Sequence, residues 1–368
     1  MNNELPTMNN QQAYRRLISG QTTGLTAACL RFFLTAGSIV YTAVIRFRNF
    51  LYCSGWLRIH TASVPVISIG NITTGGTGKT PLVIWLYKFL QQKNVNCAIL
   101  TRGYKAIQNS KLKTQNYIDE PAILTESCPN AKVIVNPDRV AGADVAINKF
   151  NADVLILDDG FQHRRLARNI DIVTIDSTRP FGYGKVLPAG LLREPLRSLD
   201  RADAVVLTRC AQTSEAELTK LEDKLRLINP NIIIARSIHA PICAKIKNGE
   251  EISIDKLKDK KIFAFCGIGN PDAFLNTIKK IKANLISSKV YNDHHRYTGA
   301  DITYICENAR NLQADCILTT QKDWTKISSL TLPQIDIPFA YLTIELKLTA
   351  DEGRLKQLIE DALAGKIS

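Results

Sequence analysis

The chain contains no C-x-x-C pair; its nine cysteines (29, 53, 97, 128, 210, 243, 266, 306 and 316) are scattered. That spacing argues against a zinc knuckle or a disulfide frame and fits reduced thiols in a cytosolic compartment. The adjacent His294 and His295 lack a third ligand at a suitable distance, so they do not define a metal site. There is no low-complexity tract. A guanine-reading Asn-Lys-x-Asp is also missing, because Lys322 and Asp323 are adjacent with no spacer. Acidic residues are in short supply: 34 against 47 basic, for a net charge of +13 and a pI near 9.3. The partner is therefore expected to be anionic, whether nucleotide, nucleic acid or a surface of acidic lipids. Charge alone does not choose among them, and nothing but charge supports nucleic acid.

What is present is a globular chain of 368 residues, 45% hydrophobic, long enough for two domains and a large core. The most informative stretch is Val64-Pro-Val-Ile-Ser-Ile-Gly-Asn-Ile-Thr-Thr-Gly-Gly-Thr-Gly-Lys-Thr-Pro81. An apolar strand pattern over 64–70 breaks into glycines, and a helix pattern over 80–92 starts with Pro81 in its first turn, where proline costs no hydrogen bond. Strand, glycine turn, Gly78-Lys79-Thr80 and helix form a P-loop. Successive backbone N–H groups turn toward one anion, the lysine reaches the β/γ-phosphates, and the threonine hydroxyl suits Mg²⁺. Residues Thr73, Thr74, Gly75, Gly76, Thr77, Gly78, Lys79 and Thr80 are the candidate nucleotide cradle. The usual first glycine is replaced by Thr73. The Gly-Gly-Thr-Gly-Lys-Thr core resembles the deviant P-loops of a subset of ATPases, with Thr74 where their signature lysine stands.

The N-terminal twenty residues read as a frayed, disordered terminus, with no convincing signal-peptide cleavage site. From Leu25 to Trp56 the chain is apolar and aromatic, yet only 14 residues separate Arg31 from Arg46. A spanning helix needs roughly 20. An amphipathic interfacial helix, with arginines on headgroups and rings at the boundary, fits residues 1–60, which carry six arginines and one acid, Glu4. A helix hairpin packed on the protein's own core accounts for the same pattern.

Beyond the P-loop helix, short apolar runs at 97–101, 132–135, 154–157, 170–175 and 204–208 alternate with helix patterns. This predicts a P-loop NTPase-like α/β core, a parallel sheet covered by helices on both faces, over 61–209. The run at 154–157 ends in Asp158-Asp159, where a second strand delivers a carboxylate beside the P-loop for Mg²⁺. Arg179, Lys185, Arg193, Arg197 and Arg201 then crowd a Gly/Pro-rich loop suited to phosphates. The sheet is expected to close at 204–208. A second, smaller α/β domain is expected over 210–345, with strands at 231–236, 261–266, 285–290, 316–320 and 337–342, contributing to a cleft. Residues 346–368 hold a C-terminal helix.

Nine motifs between Val64 and Lys326 together resemble the tetraacyldisaccharide 4'-kinases, which phosphorylate the lipid A precursor of Gram-negative bacteria. They are Gly70-Asn-Ile-Thr-Thr-Gly-Gly-Thr-Gly-Lys-Thr-Pro81, Arg102-Gly-Tyr104, Asp119-Glu-Pro121, Asn136-Pro-Asp-Arg139, Asp158-Asp-Gly-Phe-Gln-His-Arg-Arg165, Leu192-Arg-Glu-Pro195, Gly267-Ile-Gly-Asn-Pro271, Asp293-His-His295 and Thr319-Thr-Gln-Lys-Asp323. Departures are local: Ile118 and Lys105 where glycine is frequent, Gln321 where glutamate is common, and a short loop between Tyr104 and Asp119. The resemblance implies an ATP- and Mg²⁺-dependent kinase acting on a glycolipid, peripheral on the cytoplasmic face of the anionic inner membrane, with the N-terminal helix docking there. It implies neither nucleic-acid binding nor an oligomer. It makes Asp119 the base, oriented by His294, with Asn71, Arg102, His163, Arg193 and Glu194 on the substrate side. For phosphoryl transfer, Lys79 would hold the phosphates, Thr80 with Asp158 or Asp159 would organise Mg²⁺, and Arg139 or Arg193 would offset developing charge. A membrane-associated regulatory or transport P-loop ATPase is the competing expectation.

Overall fold

The computed structural model describes residues 10–103, 119–246, 249–293, 295–328, 330 and 336–365, with the side chains of 10–12 and 119–120 outside the description. His294, the side chain of Asp119 and the stretch 104–118, including Tyr104, Lys105 and Ile118, therefore lie outside the described residues.

In chain order the helices and strands are α1 (Asn10–Ile18), α2 (Leu25–Cys53), β1 (Val66–Asn71), α3 (Lys79–Gln92), β2 (Cys97–Thr101), α4 (Asp119–Ser127), β3 (Lys132–Val135), α5 (Arg139–Phe150), β4 (Val154–Asp158), β5 (Ile170–Asp176) and β6 (Ala204–Thr208). There follow α6 (Glu215–Ile228), β7 (Ile233–Ile246), β8 (Glu251–Ser253), α7 (Ile254–Leu257), β9 (Lys261–Cys266), α8 (Pro271–Lys280), β10 (Asn284–Val290), α9 (Gly299–Asn311), β11 (Cys316–Thr320), α10 (Gln321–Ile327), β12 (Phe339–Ala350) and α11 (Glu352–Leu363).

Among the described residues the 12 strands join one sheet, ordered β10-β9-β11-β12-β7-β6-β5-β1-β4-β2-β3, with β8 paired to β7. The expected closure of a first sheet at 204–208 is corrected: β6 pairs in parallel with β7 on its far side, and β7 continues into a long antiparallel pairing with β12. Both strands run well past the expected 231–236 and 337–342. The seven strands from β7 to β3 are parallel, as are the four from β12 to β10. Because β7 and β12 run antiparallel, the two blocks point at each other. In a parallel α/β sheet the functional loops leave the C-terminal strand ends, so here two sets of such loops face across one gap.

The core follows from strand alternation. In β1 and β4, Ile67, Ile69 and Ile156 pack with Leu82, Leu86 and Leu90 of α3 and Leu355 and Ile359 of α11. Val66, Leu155 and Leu157 point the other way, onto Ala143 and Ala146 of α5. Helices thus cover both faces, each fully buried aliphatic side chain contributing about 1.5–3 kcal/mol. Gly70, in β1, is required: an added Cβ would lie 2.4 Å from the Cβ of Phe161.

The expected disorder of the first twenty residues is also corrected for 10–18. Helix α1 is held by contacts distant in sequence: the Tyr14 hydroxyl donates to the Pro188 carbonyl (2.6 Å) and the Arg15 guanidinium to the Gly269 carbonyl (2.7 Å). Helix α2 is 29 residues long, about 43 Å at 1.5 Å per residue. By length and composition alone it could cross a membrane, although Arg31 and Arg46 bound its uninterrupted apolar run at 14 residues. Its orientation inverts that of a core-packed helix. A small, polar seam faces the protein, where Ser38 donates to the Val186 carbonyl, Tyr41 to that of Arg193, and the Asn49 amide to Glu194. Phe32 and Phe33 are 70% and 69% exposed, and Ile39, Val40, Phe47 and Phe50 stand out on the same outer surface.

Candidate active site

The P-loop leaves β1 at the sheet's switch point. Strands β4, β2 and β3 lie to one side of β1, and β5, β6 and β7 to the other. Such a reversal opens a crevice at the strand ends. Gly75 (φ 117°) and Gly78 (φ 90°) take left-handed conformations that side chains disfavour, and α3 starts at Lys79 with Gly78 as its N-cap. The loop is pinned from behind by threonines. The Thr77 hydroxyl lies 2.8 Å from that of Thr174 and accepts from the Asn71 amide (3.0 Å), while the Thr208 hydroxyl donates to the Thr77 carbonyl (2.8 Å). Thr73 and Thr74 are held by backbone pairing to Leu192 and Leu191, fastening the cradle to the basic loop.

The two aspartates at the end of β4 separate in role. Asp158 is buried and accepts from the Thr101 hydroxyl at 3.2 Å, and the Arg139 guanidinium donates to its backbone carbonyl. Asp159, at a left-handed φ of 54°, turns toward the P-loop. It lies 3.3 Å from Lys79 Nζ and 3.0 Å from Arg193, which also donates to Gln162. Burial pushes the Asp159 carboxyl upward, but Lys79 and Arg193 outweigh it and hold the group well below the usual carboxylate range. The carboxylate is therefore ionised at any physiological pH. Arg139 is lowered by burial to about 10 and stays charged at neutral pH. Thr80 and Asp159 line the cavity with a hydroxyl and a carboxylate, donor types that suit Mg²⁺, whereas Asp158 is buried against Thr101 and does not line it.

Loops from the far block complete the site. A cavity of about 400 Å³ is lined by the P-loop, Asp159 and Arg193 on one side and by residues 268–270, 273, 274, 277, 320–322, 342 and 344 on the other. The approach is close: a Cβ on Gly269 would sit 2.6 Å from the Gly76 backbone nitrogen. Ile268, Phe274, Leu342 and Ile344 give this wall an apolar character. Lys322 and Asp293 pair across 3.5 Å at its rim.

On the outer side, His163 is kept neutral at physiological pH: burial, then Arg139 and Arg168, lower it to about 4. Arg102 is exposed at the end of β2. Glu194 is fully buried, its carboxylate engaged by Arg201, Asn49 and Arg48. It ties α2 to the loop that carries Arg193. The structure thus gathers Lys79, Thr80, Asp159, Arg193, Asn71 and Asp158 around the cradle, with Arg139 behind Asp158. Asp119 opens α4; its side chain and His294 lie outside the described residues.

Several residues escaped the sequence reading. Thr174, Asp176, Thr208 and Arg209 stand at the ends of β5 and β6, and His239 of β7 lines the cavity. His239, desolvated and near Arg209, is lowered to about 3 and is neutral. For the first four the signal was position at the C-terminal end of a parallel strand near the P-loop, whereas His239 lies mid-strand in β7, where it pairs antiparallel with Leu346.

The chain matches a protein-family model, LpxK: Tetraacyldisaccharide-1-P 4'-kinase, over residues 30–364. A tetraacyldisaccharide 4'-kinase of Syntrophus aciditrophicus is 36% identical over an alignment of 360 residues, which covers 93% of this chain and 96% of that protein. One of Bdellovibrio bacteriovorus is 34% identical, covering 91% of this chain and 100% of that protein. Among solved structures, LpxK from Aquifex aeolicus in complex with ATP superposes with a TM-score of 0.69 at 30% identity, over 91% of this chain and 99% of that one. A family match over most of the length, with relatives aligned nearly end to end, leaves one assignment: this chain belongs to the tetraacyldisaccharide-1-P 4'-kinase family.

Proposed function

We propose that the protein transfers the γ-phosphate of ATP to the 4'-hydroxyl of tetraacyl-disaccharide 1-phosphate, giving lipid IVA and ADP, on the cytoplasmic face of the inner membrane. The observation that carries this reading is the basic loop. On one side Thr73 and Thr74 of the P-loop pair with Leu192 and Leu191; on the other, the polar seam of α2 docks on Val186, Arg193 and Glu194. A phosphate cradle and a helix with an outward apolar face share one support, as an ATP-using enzyme with a lipid substrate requires.

In this reading the sugar oxygen attacks the γ-phosphorus, the bond to the β–γ bridging oxygen breaks, and the hydroxyl proton passes to Asp119, oriented by His294. The P-loop amides and Lys79 hold the β/γ-phosphates, and Arg193 and Arg139 offset negative charge near the transferred group. Thr80 with Asp159 would hold Mg²⁺, which supplies charge neutralisation on the phosphates. Asn71, Arg102, His163, Arg193 and Glu194 form or support the sugar side, and the apolar wall at Ile268, Phe274, Leu342 and Ile344 suits a purine base.

The direct test is transfer of labelled γ-phosphate from ATP to tetraacyl-disaccharide 1-phosphate in mixed micelles. A phosphorylated glycolipid with stoichiometric ADP is expected; ATP turnover without labelled lipid would overturn the proposal in favour of a regulatory or transport ATPase.

Peripheral membrane attachment through α2 has its own expected result. Replacing Phe32, Phe33, Phe47 and Phe50 by serine leaves the inward seam intact but removes the exposed rings. Partitioning onto vesicles containing acidic lipids should fall at least about 10²-fold, given about 1.5–3 kcal/mol per buried aromatic side chain. Sedimentation with vesicles at the wild-type level would exclude α2 as the docking element.

A further inference from the structure

Beside the P-loop, where Arg209 lines the cavity, a buried charged group spans the two blocks of the sheet. Arg209 follows β6 and is 8% exposed. One guanidinium nitrogen donates to the Asp176 carboxylate (2.6 Å) and the other to the backbone carbonyl of Gly76 (2.9 Å). Asp176 ends β5 and is 6% exposed. Its carboxylate also accepts from the Asn270 amide at 2.7 Å, and from the Thr178 hydroxyl and backbone N–H at 2.7 and 3.1 Å. Asn270 belongs to the facing block, where its own carbonyl accepts from Ala273 N–H as the N-cap of α8.

We propose that Arg209 is a positioning residue of the nucleotide site: anchored on Asp176, it fixes the Gly76–Thr77 peptide so that the Thr77 N–H faces the phosphates, and Asn270 links this anchor to the loop closing the opposite wall. The inference rests on the P-loop holding the phosphates of ATP.

The reasoning is geometric. A trans peptide is planar, so its C=O and N–H point in opposite directions. Holding the Gly76 oxygen toward Arg209 turns the following N–H into the hollow of the loop. This peptide needs an outside hold because both its neighbours on the N-terminal side, Gly75 and Gly76, lack a Cβ; Gly75 sits at φ 117°, and an added Cβ at either would meet nothing within 4 Å. Unaided, the segment would sample both orientations. Burying an ion pair is not a good way to gain stability, since an apolar pair of similar volume often does as well or better. Its value here is directional: a guanidinium presents two donors in a fixed fork, one for the anchor and one for the loop. Arg209 itself adopts φ 60°, ψ 27°, a left-handed conformation that costs roughly 1–2 kcal/mol for a residue with a Cβ. This local strain is tolerated where the side chain must reach the Gly76 carbonyl. Asn270 extends the hold, because Gly269 beside it abuts Gly75 and Gly76 directly.

The test uses Arg209→Lys and Arg209→Met in the full-length protein, with Asn270→Asp as a second probe. Asn270→Asp keeps an acceptor for the α8 cap but replaces the donor to Asp176 with a second carboxylate. In the Arg209 variants, the Kd for ADP by calorimetry and the KM for ATP should rise at least about tenfold. Adenosine affinity and the KM for glycolipid should stay within about twofold, since neither uses this peptide. Asn270→Asp should raise the KM for ATP in the same selective way by about three- to tenfold. Wild-type ADP affinity in folded Arg209→Lys, or equal losses for adenosine and ADP, would overturn the proposal. If the Arg209 variants do not fold, a wild-type KM for ATP in Asn270→Asp does the same. Lys79→Ala, measured alongside, separates the two levels of inference: unchanged ADP and ATP binding in that variant would refute the P-loop assignment itself.

Discussion

Lys79→Ala should lower kcat/KM for ATP by roughly 10²–10³-fold or more, the scale for removing one preorganised group that stabilises developing charge, while the protein stays folded. The two halves of this expectation come from different features. Lys79 is the first residue of α3, its side chain only 11% exposed, with Nζ 3.3 Å from Asp159. Once γ-phosphate occupies the cradle, that ammonium sits between two anions and offsets both. Alanine removes the charge but not the helix start, since Gly78 supplies the turn and alanine has the best helix propensity. Asp159 is not orphaned, because Arg193 still contacts both of its oxygens at 3.0 and 3.1 Å. The Tm should therefore shift by no more than a few degrees, and near-ultraviolet circular dichroism should match the wild type. A Lys79→Ala protein that is unfolded would contradict the electrostatic role; one that is folded and fully active would exclude Lys79 from phosphate binding.

The parts of this site legible in the sequence share one property: their signals are local. An apolar run followed by glycines, Lys79 and Thr80 fixes strand, loop and helix together, because buried strands cannot end in polar residues without a loop to receive them. The run ending at Asp158-Asp159 was legible for the same reason. The β7–β12 ribbon was not. Pro241 demotes a sequence from strand to edge or bulge, and it stands beside the register shift at which Pro241 pairs Ile344 while Cys243 pairs Thr343. A bulge accommodates the missing N–H, so the strand continues where its sequence suggests an end. Missing that ribbon conceals that the strand ends of the two blocks face one another, and hence that Gly269 and Asn270 belong to the P-loop site. Helix α1 and Arg209 were invisible for a related reason. Their partners, Pro188 and Gly269 for one and Asp176 and Gly76 for the other, are brought close only by the fold. For α2 the pattern was present but ambiguous, since an apolar stripe does not say which side is solvent. Docking of Ser38, Tyr41 and Asn49 through side-chain hydrogen bonds turns the stripe outward.

Asp119→Asn carries the second large expected effect. If Asp119 accepts the proton of the sugar hydroxyl, kcat should fall by roughly 10²-fold or more, the range for a positioned general base. The KM for ATP should move much less, because asparagine removes basicity while keeping size and polarity. The fold supplies a reason for that base to be set from both halves of the molecule. Asp119 opens α4, and further along this helix Glu126 accepts from the Tyr341 hydroxyl of β12 (2.9 Å) and the Gln321 amide of α10 (3.1 Å). The C-terminal end of α4 is thereby tied to the block that also carries the Asp293-His-His295 motif. His294→Ala should be less damaging than Asp119→Asn, and the double variant should lose less than the product of the single losses, since groups acting as one unit are not additive. The competing account is structural. Asp119-Glu120-Pro121 is a favourable helix start, where acidic groups complement the helix dipole and proline costs no hydrogen bond. Asparagine caps helices about as well as aspartate, so that account predicts wild-type kcat in Asp119→Asn together with an unchanged Tm. Single-turnover measurements with ATP and glycolipid both saturating separate the two, because under those conditions only the chemical step and the groups that move its proton set the rate.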